Sequence, residues 1–237
     1  MITYEEVMAK LEELGSEQTK KTLVKHGAQE PFFGVRIGDL KKFLLKKVKK
    51  NQELALKLYG SGNSDAMYLA GLSVDPTLMT KEQLQEWVQQ ANWYMLSEYT
   101  VAQVAAESAY ALELAREWMA SNEELIATAG WSTYTNYLSI TPDEEIDYAE
   151  VKNLLSHVEE KIHSEQNRVR YVMNGFIIAV GAFYAPLLEK AKRVAKAVGK
   201  VRVNVGDTSC KVPVATDYIA KMEEKERIGH KRKTCIC

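Results

Sequence analysis

The segment Asn92-Trp93-Tyr94-Met95-Leu96-Ser97-Glu98-Tyr99 packs three aromatic rings around one acid and reads as the start of a helix. On a helix, Trp93 and Glu98 stand five residues apart, so the carboxylate is offset from the indole but can reach the same edge. Such a cluster could serve as a platform for a base. Aromatic rings at helical spacing also serve as ordinary core, and the segment alone does not decide between the two.

Few other chemistries are open. The chain carries no phosphate-cradling glycine loop, no His-Glu-x-x-His and no Gly-x-Ser-x-Gly elbow. Of four histidines, His157, His163 and His230 lie in strongly charged surroundings, so acid–base work falls to a carboxylate. Cys210, Cys235 and Cys237 are odd in number and crowded at the end, which fits a reducing compartment rather than a disulfide framework. The Cys-Ile-Cys ending lacks the four paired ligands of a structural zinc site, so no metal and no cofactor are expected and the tail is read as lightly held.

Charge is divided unevenly. The net charge is −1, yet Arg36 to Lys57 carries a local +6 and Leu188 to Cys237 a local +7, leaving −14 on the rest. Candidate phosphate contacts in the first cluster are Arg36, Lys41, Lys42 and Lys46, with Lys49 and Lys50 beside them. The second offers Lys192 and Lys196, then Lys231, Arg232 and Lys233, with Arg193, Lys200 and Arg202 between. Cations in such clusters neutralise a polyanion without reading its sequence.

These groups must be positioned by helices. Ile37, Leu40, Leu44 and Val48 recur at three- and four-residue steps and predict one apolar face over residues 36–50. Helix starts are predicted at Thr80 with Gln83, at Ser121-Asn122 and at Pro142. Short connections make neighbouring helices antiparallel, about a dozen in all. Only Val201, Val203 and Val205 alternate like a strand. The run from Tyr171 to Leu188 has no charge, but Asn174, Gly175, Gly181 and Pro186 interrupt it and predict a buried helix rather than a membrane span. With no signal-peptide pattern at the start, a soluble, cytoplasmic protein is expected.

An internal echo points to repeats. Glu53-Leu54-Ala55 leads to Ala70-Gly71-Leu72, Glu113-Leu114-Ala115 leads to Ala129-Gly130-Trp131, and Asn174-Gly175-Phe176 is a weaker third copy. Mid-helix glycines before large apolar residues predict close helix approach, and the expected fold is an all-α solenoid of helical hairpins. Residues 1–200 form the repeat domain. Residues 201–237 form an extension of strand-like segment, helix and basic tail, packed on the same domain.

Phe32-Phe33-Gly34-Val35-Arg36, the Asn92 to Tyr99 segment, Asn167-Arg168-Val169-Arg170-Tyr171 with Asn174-Gly175-Phe176, and Cys210-Lys211-Val212-Pro213 together resemble the bacterial DNA alkylation repair proteins, the AlkD-like HEAT-repeat family. The resemblance covers nearly the whole chain. It implies a HEAT-like solenoid whose basic surface grips duplex, alkylated or branched DNA, with Arg168 and Arg170 as further groove candidates. The glycosylases of that family release cationic alkylated purines using a tryptophan followed four residues later by an aspartate. Trp93 matches the tryptophan, Ser97 stands at the aspartate position, and Glu98 is the nearest acid. A family arginine falls on or beside Gly130, and a stacking tryptophan on Phe176. The expected function is therefore DNA binding, with either alkylpurine excision through Trp93 and Glu98 or binding of damaged or branched DNA alone. A protein-interaction scaffold is the rival, since solenoids also present surfaces to proteins.

Overall fold

The structure, a computed structural model, describes residues 2–49 and 51–236. Lys50 of the lysine-rich helix and Cys237 of the tail lie outside the described residues. Thirteen helices account for the fold among the described residues: α1 Tyr4–Leu14, α2 Glu17–Lys25, α3 (residues 37–48), α4 Gln52–Tyr59, α5 Ser64–Ser73, α6 Lys81–Gln90, α7 (residues 95–106), α8 Ala111–Met119, α9 Glu124–Ile140, α10 Tyr148–Lys161, α11 Asn167–Phe183, α12 Leu188–Val198 and α13 Ala215–Glu224.

Local chemistry sets the boundaries. Thr80 and Gln83 form the expected capping box, with the Gln83 N–H donating to Thr80 Oγ1 (3.2 Å) and the Thr80 N–H to Gln83 Oε1 (3.0 Å). Ser121 sits just ahead of α9, where its hydroxyl accepts from the Glu123 N–H. Pro142 opens only a 3₁₀ turn, Asp143–Glu145, and Asp147 caps the helix that follows, α10. In α3 the residues Leu40, Leu44 and Val48 are buried as expected, but Ile37 is 37% exposed. The π-helical stretch Leu40–Leu45 widens the turn there and moves the apolar face away from the 3.6-residue register.

Two layers result. The helices α3, α5, α7, α9 and α11 pack in file, each on the next, and α13 adds to α11. The partner helices form an outer file joined by polar side chains: Lys81 of α6 to Glu113 of α8 (2.9 Å), Arg116 of α8 to Glu150 of α10 (2.6 Å), and Lys190 of α12 to Ser156 of α10 (2.7 Å). A Cβ on Gly71 would come within 2.4 Å of Thr100 Cγ2, and one on Gly130 within 2.4 Å of the Met119 nitrogen. Both glycines thus mark close approaches. Gly175 does not, since nothing lies within 4 Å of a Cβ there; the third contact of this kind belongs to Gly181, against Ile219 of α13.

The isolated valines of residues 201–205 make no sheet among the described residues, as a lone fragment should not, and run as one arm of an extended loop. The last part of the chain departs from one expectation. The tail is not loose. Gly229 donates its N–H to Ala182 O (2.8 Å) and Arg232 to Ser139 O (2.7 Å), and the Glu107 carboxylate accepts from the Cys235 and Ile236 N–H groups and from the Thr234 hydroxyl. It therefore runs from the end of α11 past α9 to α7. Arg36 closes a loop and stands as the N-cap of α3; the N–H groups of residues 33–35 donate to the buried Asp65 carboxylate (2.6, 2.9 and 3.1 Å), which fixes the Phe32 to Arg36 motif.

No single helix among the described residues is long and apolar enough to cross a membrane; α11 and the segment Ala185–Val198 pass that test only as a pair bent by 112°. The uncharged run from Tyr171 is the buried helix α11, ending at Phe183.

Candidate nucleic-acid interface

Helix α11 organises the site. Its Asn167 side chain clasps Asn204, donating to the Asn204 carbonyl (2.8 Å) and accepting from its N–H (2.7 Å). One face-repeat later, Asn174 donates to the Pro213 carbonyl (2.9 Å). The two asparagines of the sequence motif thus pin both arms of the loop 201–214 to one helix. At the loop's far side Gly206, with φ of +74°, lies so close to Lys25 O that a Cβ would come within 2.5 Å, and Lys25 pairs with Asp207 at 3.8 Å. The loop therefore reaches from α11 to the end of α2.

Between those two helices lies a cavity of about 550 Å³, walled by Tyr94, Tyr99 and Tyr171, with Met95, His26 and Arg168. The Arg168 guanidinium stacks on Tyr94 (4.2 Å) and Tyr171 (4.3 Å), and its Nε donates to Glu98 Oε1 at 2.9 Å while Nη2 donates to Glu98 Oε2. His26 Nδ1 lies 3.1 Å from the Tyr94 hydroxyl. No carboxylate lines this cavity. On the other side of the loop, a second cavity of about 810 Å³ is bounded by Arg170, Lys200, Arg202 and Lys211, again without an acid. Asn204, Val205 and Cys210 border both.

Glu98 is sealed beneath this surface. Its side chain is 3% exposed and that of Arg168 14%. Burial pushes the Glu98 carboxyl up to about 7, with the Arg168 hydrogen bonds and charge pulling the other way. Burial acts to lower the Arg168 pKa, but the bond and charge of Glu98 outweigh it and raise it. Both carboxylate oxygens accept from Arg168, so the group is held as the counter-ion of that guanidinium, with only its edge reaching the small hollow bordered by Tyr99, Gln103 and Arg232.

The other anticipated residues separate into exposed, paired and buried sets. Lys41, Lys42 and Lys46 project from α3 into solvent; Arg36 is exposed and bonds Asp39 at 3.0 Å. Lys196 is exposed and Lys192 bridges Glu189 (3.4 Å) and Glu223 (2.9 Å), both on α12 of the outer file. Lys231 is held by Asp143 (2.9 Å) and the Leu138 carbonyl (2.9 Å), so its ammonium caps a helix end instead of facing a ligand. Arg232 lies over the Phe183 ring (5.1 Å) and, with Tyr99, borders a smaller hollow on the α7, α9 and α11 face; Lys233 is exposed.

Trp93 is 7% exposed, and its indole N–H has no hydrogen-bond partner among the described residues. Ser97 is fully buried, 3.3 Å from the Thr128 hydroxyl. Phe176 is fully buried, edge-on to Trp131 and Tyr134, and Gly130 leaves no room for a side chain. The residues that do face the cavities, Tyr99, Tyr171, Lys200, Arg202 and Lys211, gave only a weak sequence signal: unpaired cations and tyrosines beside the asparagines of the motif.

The fold and site define a class: a two-layer helical solenoid with two adjoining cavities lined by tyrosines and cations and, among the described residues, by no acid. The chain belongs to the family described as DNA alkylation repair enzyme, whose pattern matches residues 7–199. Two uncharacterised Listeria proteins align nearly end to end: one from Listeria monocytogenes is 38% identical over 96% of this chain and all of its own, and one from Listeria innocua is 39% identical over 95% and 99%. A solved structure from a family related to the HEAT-like repeat DNA glycosylases, with affinity for branched DNA structures, superposes over the whole of both chains with a TM-score of 0.90 and 40% identity. The HEAT-like solenoid expected from the helical hairpins is thereby shown.

Proposed function

We propose that this protein is a cytoplasmic DNA-binding member of its family that holds branched DNA without excising bases. The observation that carries the reading is Glu98: the acid beside the expected catalytic position is 3% exposed and bound through both oxygens to Arg168. A carboxylate acts on a departing base by stabilising charge at the sugar or orienting water, and this one can do neither without leaving its guanidinium. The cations of the second cavity and of α3 remain suited to phosphates. The affinity of the structural relative for branched DNA supports the choice of branched over plain duplex DNA.

Fluorescence anisotropy with equal-length duplex, flap and three-way-junction DNA tests the binding. Branched forms are expected to bind tighter than duplex. The same protein, incubated with methylated DNA, is expected to release no 3-methyladenine or 7-methylguanine. Ser97→Asp is expected to gain no activity, since position 97 is fully buried against Thr128. Equal affinity for all three DNAs, or release of methylated base, would reject the reading.

A further inference from the structure

Branched DNA differs from duplex chiefly in having nucleotides that are not stacked between neighbours, and the two cavities divide between them the groups such a nucleotide presents. The first is walled by tyrosine rings, with Met95 and a stacked guanidinium; the second collects four cations. The segment around Asn204, Val205 and Cys210 is the wall they share. We propose that an unpaired nucleotide at the branch point places its base against the tyrosines of the first cavity while the adjoining phosphate meets Arg170, Lys200, Arg202 and Lys211 in the second. This rests on the branched-DNA reading and names the part of the branch that the protein holds.

Three features favour a base as occupant. The volume of about 550 Å³ lies in the range of ordinary small-ligand pockets. Tyr99 is 37% exposed although it sits among buried neighbours, a large ring left to solvent. Arg168 is prevented from collapsing outward by Glu98, so Tyr94 and Tyr171 keep their orientation without a ligand. Such stacking tolerates any base, because every base has a π-face, and it needs no flipping from a paired duplex. The absence of carboxylates from the lining of both cavities removes the repulsion a nucleotide would otherwise meet.

The test places 2-aminopurine at the unpaired branch nucleotide of a flap, and separately within the duplex arm. Wild-type protein is expected to change the emission of the branch probe and leave the duplex probe unchanged. Tyr99→Ser, checked for native circular dichroism, should lose that change and bind the flap about tenfold more weakly while duplex affinity stays the same, the loss of one stacked base. As an independent measure, flap DNA should slow alkylation of Cys210, which borders both cavities and is exposed, read by mass spectrometry of its own peptide. If the wild type binds flap DNA tightly but the branch probe and Cys210 alkylation are unaffected, the nucleotide pocket is wrong and the branched-DNA reading stands. If no branched DNA is preferred, both fail. Protection by free deoxynucleotide monophosphate but not by the flap would also overturn the proposal, by showing a small-molecule site instead.

Discussion

Glu98 shows how one residue can match a motif by position and differ in what it can do. Its place beside Trp93 invites a catalytic reading; its 3% exposure and twin bonds to Arg168 make it part of the pocket's foundation. The charged groups facing it are Arg168 from α11 and Glu124 from α9, with the Tyr99 and Tyr171 hydroxyls nearby. A carboxyl ordinarily near 4.5 but raised to about 7 in the fold binds its proton more tightly when folded. Its contribution to stability is thus fully present below about pH 4.5 and is lost as pH rises through 7. The expected outcome is a melting temperature that falls between pH 5 and 8 in the wild type, with this component missing from Glu98→Gln; thermal melts of both proteins across that range check it. What sequence could offer here was the identity of the acid. The rotation that turns position 98 inward, and the partner 70 residues away, are tertiary facts.

Helical elements were far more legible than the groups they carry. Apolar periodicity and the Thr80 capping box located helices because both are local, set within one or two turns. The alternating valines make no sheet because alternation over five residues has no meaning without a partner strand, and Asn167 satisfies the Asn204 N–H from a helix side chain instead. The cationic tail was read as surface because its fixing contacts, to Ala182, Ser139 and Glu107, come from three different helices. Glycine shows the same divide. All three mid-helix glycines looked alike in sequence, yet a Cβ on Gly130 would strike the Met119 backbone at 2.4 Å while one on Gly175 would meet nothing. Gly130→Ala is therefore expected to destabilise the protein, by about 1–3 kcal/mol as an overpacked contact against rigid backbone. Gly175→Ala should leave it unchanged or raise stability by roughly 0.5–1 kcal/mol through helix propensity. Chemical denaturation of the two variants beside the wild type separates the cases, and equal effects would contradict the close-approach geometry.

At the scale of the whole molecule, the question is which part of an uneven charge distribution meets DNA. Summing cations along the chain put equal weight on α3 and on the region from α12 onward. The layers divide them differently: α3 packs on α5 in the inner file, whereas α12 packs on α10, α11 and α13, with Lys192 neutralised by Glu189 and Glu223. Lys231, too, is spent on Asp143 and a carbonyl. The exposed cations that remain include Lys41, Lys42 and Lys46 on α3, the loop group around Arg202, and Arg232 beside the α7, α9 and α11 hollow. Each phosphate contact contributes about 0.9 to the slope of log affinity against log salt on duplex DNA. Replacing Lys41, Lys42 and Lys46 together by glutamate should thus reduce the magnitude of that slope by roughly 3 if all three reach phosphates, and weaken duplex binding at every salt concentration. Replacing Arg193 and Lys196 on α12 by glutamate shifts net charge by −4, against −6 for the three lysines, but is expected to leave the slope within error of the wild type. Anisotropy titrations at several salt concentrations decide the matter. A loss of slope from the α12 pair equal per charge to that from α3 would mean that the protein attracts DNA by net charge alone, and that the layering of its helices does not direct where the duplex lies.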